Sequence, residues 1–421
     1  MRVAIAGLTH LGVCMAVATH RWGVETVGFD TDAGRAERIR RGDFDSEEPG
    51  AVEFLTSKPS NFEITTDPEE LRDADLALVA VDTVLRNDGS NDDSEVVALL
   101  AEVASAIPTS TPVVICSQVR PGFTRAHSHL HPQLYYSMES LIFGRGIQRA
   151  AHPERYIIGC ADPRMPLAPA LDEYLALAGC PVHVMNYESA ELTKLAANYV
   201  LSANITAANS LADLAARIGG DWRSIEMALR DDQRIGQGAY ISAGLGIGGA
   251  NLARDLHGLH DMANALGADS SLARTMLHHS EYMREWILRM LILLRQDRSI
   301  NSLAVLGITY KPGTQSTRDG AGMHLVDTLA EVMNVRVHDP KVALPTDRPR
   351  DHVAQYTDLG ACLADVDVIA VTTPYPEYPE AIQKHLAPES TSVVLDPYRI
   401  LDPLCFQETR AQLWQLGVGR D

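Results

Sequence analysis

The sequence predicts an α/β fold in which two parallel-sheet domains are joined by a central helical domain. Three observations carry this prediction. A short β-branched run, a glycine-containing turn, a helical stretch and a second strand follow one another from Arg2 to Asp30, as in the opening β-α-β unit of a parallel sheet. Helical periodicity begins at Ser189 and continues to about Arg295. Strand character then returns at Ser302.

Each predicted strand is a short run of apolar or β-branched residues. In the first domain the strands are Arg2 to Gly7, Glu25 to Phe29, Leu76 to Val81, Val113 to Ser117, Tyr156 to Gly159 and Val182 to Met185. In the last domain they are Ser302 to Leu306, Val335 to His338, Val368 to Val371 and Val393 to Leu395, with a helix from Gly322 to Val332. Continuous apolar runs of this kind are typical of strands buried in parallel sheets. We expect domains over residues 1–187, 188–298 and 299–421.

The composition limits the partners. The 421-residue chain has a formal net charge of -19 and 46% hydrophobic residues. Such an acidic surface repels a polyanion, so we expect no nucleic-acid partner, although a helix N-terminus can still bind one phosphate pair. The chain opens on a strand-like stretch without the features of a secretion signal, and its apolar runs are too short for a membrane span. We expect a cytoplasmic protein without a membrane partner.

Cysteines and histidines give no sign of a disulfide framework or a metal site. The six cysteines are scattered, form no C-x-x-C pair and are predicted to be reduced core thiols. The pairs His257 with His260 and His278 with His279 lack a further Cys, His or Asp cluster at ligand spacing. Solvated helix histidines explain these pairs better, so no metal site is predicted.

The turn after the first strand carries an incomplete dinucleotide-binding fingerprint. It reads Gly7-Leu8-Thr9-His10-Leu11-Gly12, so Thr9 replaces the middle glycine. Gly7 permits the tight turn and Gly12 permits close packing of the helix, whereas Thr9 either shifts the pyrophosphate or hydrogen-bonds it. Asp30 ends the second strand, where its carboxylate can accept the ribose hydroxyls and repel a 2′-phosphate. The pattern favours NAD over NADP. The alternative is that Asp30 only caps the next turn.

A series of short motifs runs along almost the whole chain. Before the last domain they are Glu48-Pro49-Gly50, Asp88-Gly89-Ser90, Ser117 to Gly122, Pro153-Glu154-Arg155, Ala190 to Asn198 and Gly246 to Gly249. In the last domain they are Leu306 to Thr314, Thr317-Arg318-Asp319, Asp339-Pro340 and Asp396 to Arg399. Their collinear order resembles the UDP-glucose/GDP-mannose dehydrogenase family and is far more specific than any single motif.

The resemblance implies two Rossmann-like domains joined by helices. The first would bind NAD, the central helices would form a homodimer, and the last would hold the nucleotide of an NDP-sugar, with the active site between them. A lysine and an asparagine of the central helix, and an aspartate after the Gly-Gly loop, would help to remove the proton of the sugar alcohol. Here these are Lys194, Asn198 and Asp255. Lys194 and Asn198 are four residues apart and share a helix face. The alternative is that Lys194 merely reaches the surface.

The fingerprint and the resemblance together assign the binding residues. The expected cofactor-binding residues are Gly7, Thr9, His10, Leu11, Gly12, Asp30, Arg35, Thr83, Gln118, Arg254 and Arg318. The expected substrate-binding residues are Glu139, Leu141, Phe143, Lys194, Asn198, Arg234, Gly248 and Lys311.

Four positions depart from the family pattern. The nucleophilic cysteine that follows the Gly-Gly pair is Asn251 here, which we keep among the catalytic positions. An amide cannot form the thiohemiacetal and thioester through which an aldehyde is oxidised to an acid. The threonine that orders a catalytic water appears as Gln118, the lysine before the aspartate as Arg254, and a second glutamate as Phe143. These changes predict another substrate or another oxidised carbon.

We therefore expect one two-electron oxidation of a nucleotide-sugar hydroxyl to a ketone or a released aldehyde. A secondary alcohol suits a site without the cysteine, because a ketone is not carried on to an acid. The resemblance then extends to members that tailor unusual sugars in antibiotic pathways, for example the activated octose of lincosamides. Two alternatives remain: an NDP-sugar epimerase with a transient ketone, and a catalytically silent binding or regulatory homologue. The survival of Lys194, Asn198 and Asp255 argues against the silent homologue.

Overall fold

The computed structural model describes residues 1–44, 48–85, 91–139, 141–142, 144–346, 350–386 and 388–419. Contacts divide the chain into two compact units, Met1–Ala197 and Asn198–Asp421. Each unit contains one of the two large sheets. The division into three domains over residues 1–187, 188–298 and 299–421 stays a prediction.

The first unit is built on an eight-stranded sheet. Its strands are β1 (Arg2–Ala6), β2 (Glu25–Phe29), β3 (Phe62–Thr65), β4 (Leu76–Val79), β7 (Val113–Ile115), β8 (Leu134–Ser137), β9 (Tyr156–Cys160) and β10 (Val182–Asn186), while β5 (Val84–Leu85) and β6 (Asn91–Asp92) form a separate antiparallel pair. The helices are α1 (His10–Arg21), α2 (Ala33–Arg40), α3 (Ala51–Ser57), α4 (Ser94–Ala106), α5 (Phe123–His127), α6 (Gly146–Ala151) and α7 (Pro169–Ala176), with a 3-10 turn at Pro68–Leu71.

The strand order places the ligand crevice of this sheet. The order is β10-β9-β8-β7-β4-β1-β2-β3, and only β8 and β9 pair in antiparallel fashion. The central strands β1 and β4 are buried almost throughout, which explains their continuous apolar sequences. From β1 the chain continues outward in one direction through β2 and β3, and from β4 it continues in the other direction through β7. The strand order therefore reverses between β1 and β4. In such sheets ligands bind beyond the carboxyl ends of the two strands at this reversal.

The second unit combines helices with a six-stranded parallel sheet. Helix α8 (Tyr187–Arg217) begins directly after β10 in the first unit and continues into the second. It is followed by α9 (Trp222–Asp231), α10 (Ala250–Leu266), α11 (Ser271–Arg284) and α12 (Trp286–Asp297). The remaining elements are β11 (Ser302–Leu306), α13 (Ala321–Leu329), β12 (Asn334–His338), β13 (Val353–Gln355), α14 (Leu359–Leu363), β14 (Val368–Val371), α15 (Tyr378–His385), β15 (Val393–Asp396), a 3-10 turn at Pro403–Phe406 and β16 (Gln412–Gln415). The order β13-β12-β11-β14-β15-β16 repeats the reversal of the first sheet. The predicted class, two Rossmann-like sheets with a helical region between them in sequence, is confirmed.

One buried hydrophobic cluster joins helices of the second unit to its sheet. Trp222 and Trp286 of the helices belong to the same buried cluster as Leu303 and Val305 of β11. The indole Nε1 of Trp222 donates to the carbonyl of Ile241 at 3.1 Å, so the ring is buried with its polar group satisfied. Within the part of the chain that the structure describes, no helix is both long and apolar enough to cross a membrane.

The cysteines differ from the prediction at one clear position. All six are free. Cys14, Cys116, Cys160 and Cys362 are buried as expected and Cys180 is partly buried. Cys405 is exposed, so the prediction of a core thiol is wrong there, because the 3-10 turn that carries it lies at the surface.

The turns after β1 and β11 share one backbone geometry. Gly7 and Gly307 have φ angles of +96° and +95°, a region that favours glycine. A Cβ on Gly12 would lie 1.6 Å from the carbonyl oxygen of Gly7, and one on Gly322 would lie 2.1 Å from that of Gly307. The helix after each turn therefore packs against the turn as closely as only glycine allows.

An aspartate fastens each of these turns. Asp30 accepts the amide of Leu8 at 2.7 Å, and Asp339 accepts the amide of Ile308 at 2.8 Å. In the second unit the hydroxyl of Tyr375 also lies 3.4 Å from Asp339. In the first unit the guanidinium of Arg35 lies beside Asp30.

Candidate active site

The first turn of α1 already contacts an acidic side chain. The hydroxyl of Thr9 accepts the amide of Asp82 at 2.9 Å, and the carboxylate of Asp82 accepts the amide of Leu11 at 3.0 Å. Asp82 is exposed and follows β4 at the reversal of strand order. Sequence reasoning chose the neighbouring Thr83, which is partly buried, and missed Asp82. A negative charge therefore occupies the end of the helix that favours anions.

Asp30 and Arg35, both expected to contact the cofactor, lie together. Asp30 is only 2% exposed and accepts the amides of Leu8 and Asp32. One guanidinium nitrogen of Arg35, Nη1, lies 3.2 Å from Asp30 and 2.8 Å from Glu95. The cation is thus shared between two carboxylates. This leaves net negative charge where a 2′-phosphate would be expected, which fits NAD.

Lys194 forms an ion pair with Glu139 inside the first unit. Its ammonium group lies 3.2 Å from the Glu139 carboxylate and donates to the Glu139 backbone carbonyl at 3.1 Å. Both side chains are more than four-fifths buried, so the pair offsets the cost of burying a charge. The other oxygen of the carboxylate accepts the amide of Leu141. Three expected substrate residues therefore meet. Phe143 and the motif residues 88–90 lie outside the described residues.

A cavity of about 50 Å³ connects expected cofactor and substrate residues. Leu11 lines it from the cofactor turn, and Glu139 and Leu141 line it from the substrate side. Cys116 also lines the cavity, but burial raises the pKa of its thiol far above the usual range. Gln118 follows on the same segment and is partly buried.

Glu191 ties the segment after Gln118 to helix α8. Its buried carboxylate accepts the amides of Gly122 and Thr124 at 2.6 and 2.7 Å. Burial raises the pKa of this carboxyl, while the amides favour its charged form. Sequence reasoning quoted Glu191 only as part of a motif, although an acidic residue on an apolar helix face was a signal.

In the second unit Asp255 is held between two expected site residues. It is buried, accepts from the Asn198 amide group at 2.5 Å, and accepts from the Arg254 guanidinium at 2.7 Å. The first contact joins α10 to α8, since the two residues are 57 positions apart. A carboxylate held by two donors has a fixed orientation, as a group that accepts a proton in catalysis must have.

Asn251 lies on the first turn of α10 and is exposed. The Gly-Gly loop before it fits under the ring of Tyr310, which sequence reasoning missed. A Cβ on Gly248 would lie 3.0 Å from Tyr310, and one on Gly249 would lie 2.7 Å from its ring. The amide of Gly249 also donates to the backbone carbonyl of Arg318 at 3.2 Å. The two glycines are needed because the loop passes directly beneath an aromatic ring.

The remaining expected residues are exposed cations. Lys311 lies 5.5 Å from the centre of the Tyr310 ring, beside the Gly-Gly loop. Arg318 is exposed near the same loop. Arg234 is also exposed and pairs with Asp232, two residues earlier on its own loop.

Three family models match the chain in succession. The NAD binding domain of the UDP-glucose/GDP-mannose dehydrogenase family matches residues 1–170, the central domain matches 188–281, and the UDP binding domain matches 304–403. The chain belongs to the UDP-glucose/GDP-mannose dehydrogenase family. It is an NAD-dependent nucleotide-sugar dehydrogenase.

Similar proteins cover nearly the whole length of this family member. A UDP-glucose 6-dehydrogenase of Pseudomonas aeruginosa is 28% identical over 363 residues, which are 81% of this chain and 79% of that protein. A UDP-N-acetyl-D-mannosamine dehydrogenase of Pyrococcus horikoshii is 26% identical over 397 residues, 90% of each. The solved structure of a UDP-glucose dehydrogenase from Pyrobaculum islandicum has a TM-score of 0.81 at 26% identity, covering 100% of this chain and 98% of that one.

Among the described residues of this dehydrogenase, one group has the donor atoms for a metal ion. His10 Nε2, Cys14 Sγ and a carboxylate oxygen of Glu48 lie within 4.8 Å of one another. The His10 nitrogen lies 3.0 Å from Glu48 and 3.7 Å from the Cys14 sulfur. Burial and the charge of Glu48 raise the pKa of the Cys14 thiol far above its usual range.

Proposed function

We propose that this dehydrogenase oxidises one hydroxyl of a nucleotide sugar once and releases a ketone or an aldehyde. The observation that carries the proposal is Asn251. It occupies the exposed first turn of α10, where the family resemblance expects the nucleophilic cysteine. Without a thiol the product has no covalent bond to the enzyme and leaves after one hydride transfer.

Two buried thiols, those of Cys116 and Cys362, do not replace the missing nucleophile. Cys116 lies near Glu139, but it is buried and its raised pKa keeps it neutral. Burial raises the pKa of Cys362 to about 12. Since thiolates rather than thiols attack carbonyl groups, neither is a useful nucleophile at neutral pH.

Two side chains are proposed to assist the loss of the hydroxyl proton. We infer that Asp255, held by Asn198 and Arg254, accepts it, and that the Lys194 ammonium stabilises the negative charge that develops on the oxygen. The turn of Gly7 and Gly12 after β1, together with Asp30, fits NAD. When bound, NAD accepts the hydride.

The substrate is proposed to be a secondary alcohol of a specialised nucleotide sugar. A ketone cannot be oxidised further to an acid, so an enzyme for secondary alcohols does not need the cysteine. Gln118, Phe143 and Arg254 also replace family residues, which supports a changed sugar pocket. Our specific candidate is an NDP-octose of an antibiotic pathway. Lys311, Arg318 and Arg234 are the cations proposed for the substrate diphosphate and the cofactor.

A homodimer is proposed through the helices of residues 188–298. Val200 and Leu214 of α8 are 58% and 52% exposed, and Ile292 of α12 is 62% exposed. Exposed apolar residues on several helices indicate a contact with a second copy. Sedimentation at micromolar concentration should give a dimer. Leu214→Arg should weaken it, whereas Leu177→Arg, at an exposed position of the first unit, should not. A monomeric wild type would refute the proposal.

The stoichiometry of NADH tests the proposed reaction. A screen of NDP-sugars should give one NADH per sugar, with a product two mass units lighter than the substrate and no carboxylate. Asn251→Ala should keep most of the activity, because the amide takes no part in bond making. Lys194→Ala should lose about 10²- to 10³-fold in kcat, because the negative charge that develops on the oxygen is no longer stabilised.

Three results would contradict this reaction. Two NADH per sugar with a uronic acid would require another nucleophile. Tightly held cofactor without net NADH would indicate an epimerase. Sugar binding without turnover, unchanged in Lys194→Ala, would indicate a silent homologue.

A further inference from the structure

Glu48 contacts both the cofactor turn and the start of helix α6. Its side chain is 1% exposed. One carboxylate oxygen lies 3.0 Å from the His10 imidazole and 2.6 Å from the amide of Gly144. The other accepts the amide of Gly146 at 2.8 Å. A single buried carboxylate thus joins three points that lie 38 to 98 positions from it in sequence.

The partners of Glu48 belong to two functional segments. His10 is the first residue of α1, within the dinucleotide turn. Gly144 and Gly146 lead into α6, a few residues after the Glu139 that pairs with Lys194. The N-cap residue of α6 is Arg145, which has no acceptor group, so Glu48 satisfies the free amides at this helix start.

The packing leaves little freedom for this connection. A Cβ on Gly146 would lie 2.8 Å from the Cys14 sulfur and 3.0 Å from the Glu48 carboxylate. Helix α6 also packs against α1, the helix that carries both His10 and Cys14. The His10 side chain and the amides of Gly144 and Gly146 are therefore joined through one tightly packed carboxylate.

We propose that Glu48 is a positioning residue that couples NAD binding at the α1 turn to the order of the chain at Gly144 and Gly146. NAD fixes His10, His10 holds Glu48, and Glu48 holds the two amides. The chain at Gly144 and Gly146 is thereby held more firmly once NAD has bound. The coupling concerns NAD binding, so it does not depend on the single-oxidation proposal.

Amide hydrogen exchange with and without saturating NAD tests the coupling. In the wild type, NAD should slow exchange at Gly144 and Gly146 by about tenfold, within the usual range of coupling between sites. Glu48→Gln should lose most of this response, because its amide group cannot accept both bonds. By reciprocity its NAD affinity should fall by the same factor as the coupling. Glu53→Gln, at an exposed position of α3, is the matched control and should behave as the wild type.

A second variant separates coupling from a purely structural role. His10→Phe removes the cofactor side of the connection and leaves the bonds of Glu48 to the two amides. Its exchange without NAD should match the wild type, and the NAD response should disappear at saturation. An unchanged NAD response in His10→Phe would overturn the proposal. So would one equivalent of zinc in the purified protein that is lost in Cys14→Ser, because the cluster would then be a metal site.

Discussion

Asp82 should weaken NAD binding, and Asp82→Asn should strengthen it. The carboxylate accepts the amide of Leu11 at the start of α1, the position at which a dinucleotide fold binds pyrophosphate. The asparagine keeps an oxygen for that amide and removes the charge. The substitution therefore tests electrostatic competition without removing the hydrogen bond.

The size of the effect follows from the exposure of Asp82. Two anions that share one amide come within about 5 Å of each other, and at the dielectric constant of water each unit of charge then contributes about 0.8 kcal/mol. A pyrophosphate carries two charges, which gives about 1.5 kcal/mol, or roughly tenfold in Kd. Movement of the exposed side chain and salt reduce this value, so we expect a three- to tenfold lower Kd at about 20 mM salt.

The assay is titration calorimetry, which measures the Kd of NAD for the wild type and Asp82→Asn at low and at high salt. The gain in affinity should shrink at about 0.5 M salt, because exposed charges are screened. Asp73→Asn, an exposed carboxylate of the same unit, should leave the Kd unchanged. An unchanged or weaker affinity of Asp82→Asn at low salt would refute the reasoning and would mean that Asp82 helps to hold the cofactor.

Two further predictions follow from burial and charge. NAD should bind about 100-fold more tightly than NADP in fluorescence titrations, since Asp30 and Glu95 both contact Arg35. Glu95→Gln should reduce this difference in affinity, because it leaves the Arg35 cation free to pair with a 2′-phosphate. Equal affinities in the wild type would mean that Asp30 does not face the ribose. Iodoacetamide at pH 8 should label Cys405 within minutes but spare Cys14 and Cys116, whose burial raises their pKa and keeps them neutral at that pH; rapid labelling of Cys14 in folded protein, read by peptide mass mapping, would contradict this burial.

The buried strands of the fold could be predicted because their sequences are continuously apolar. Strands such as β1, β4 and β14 were found to within two residues. The sequence pattern missed β3, β8, β13 and β16, and also the short pair β5 and β6. β3, β13 and β16 pair on one side only and mix polar with apolar residues, as in Phe62–Thr65 and Gln412–Gln415, so they lack the strong pattern of a central strand. β8 is a run of only four residues, Leu134–Ser137, that follows a turn at Pro132.

The candidate site could be predicted only where a local motif marks it. Lys194 and Asp255 stand in recognisable motifs, and the structure gives each a charged partner. Asp82 could not be found in this way, because its role comes from a contact with Leu11, 71 positions away. Tyr310 lies within the motif Leu306 to Thr314, but the motif does not show its contact with the Gly-Gly loop, more than 60 positions away. Such contacts depend on how sheets and helices pack and leave no mark in the neighbouring sequence.

The duplicated turn restricts how the cofactor preference of this enzyme can be redesigned. Asp339 holds the turn after β11 by accepting a hydrogen bond from a backbone amide, as Asp30 does after β1. It does so although its carboxylate also contacts the hydroxyl of Tyr375. In both turns the aspartate therefore fixes the backbone, and any contact with a ribose is an additional role. Replacing Asp30 to admit NADP would also remove the acceptor of the Leu8 amide, so it would disturb the turn as well as the preference for NAD. Arg35 and Glu95, which the second copy does not need, are the positions at which selectivity can be altered while the turn stays closed.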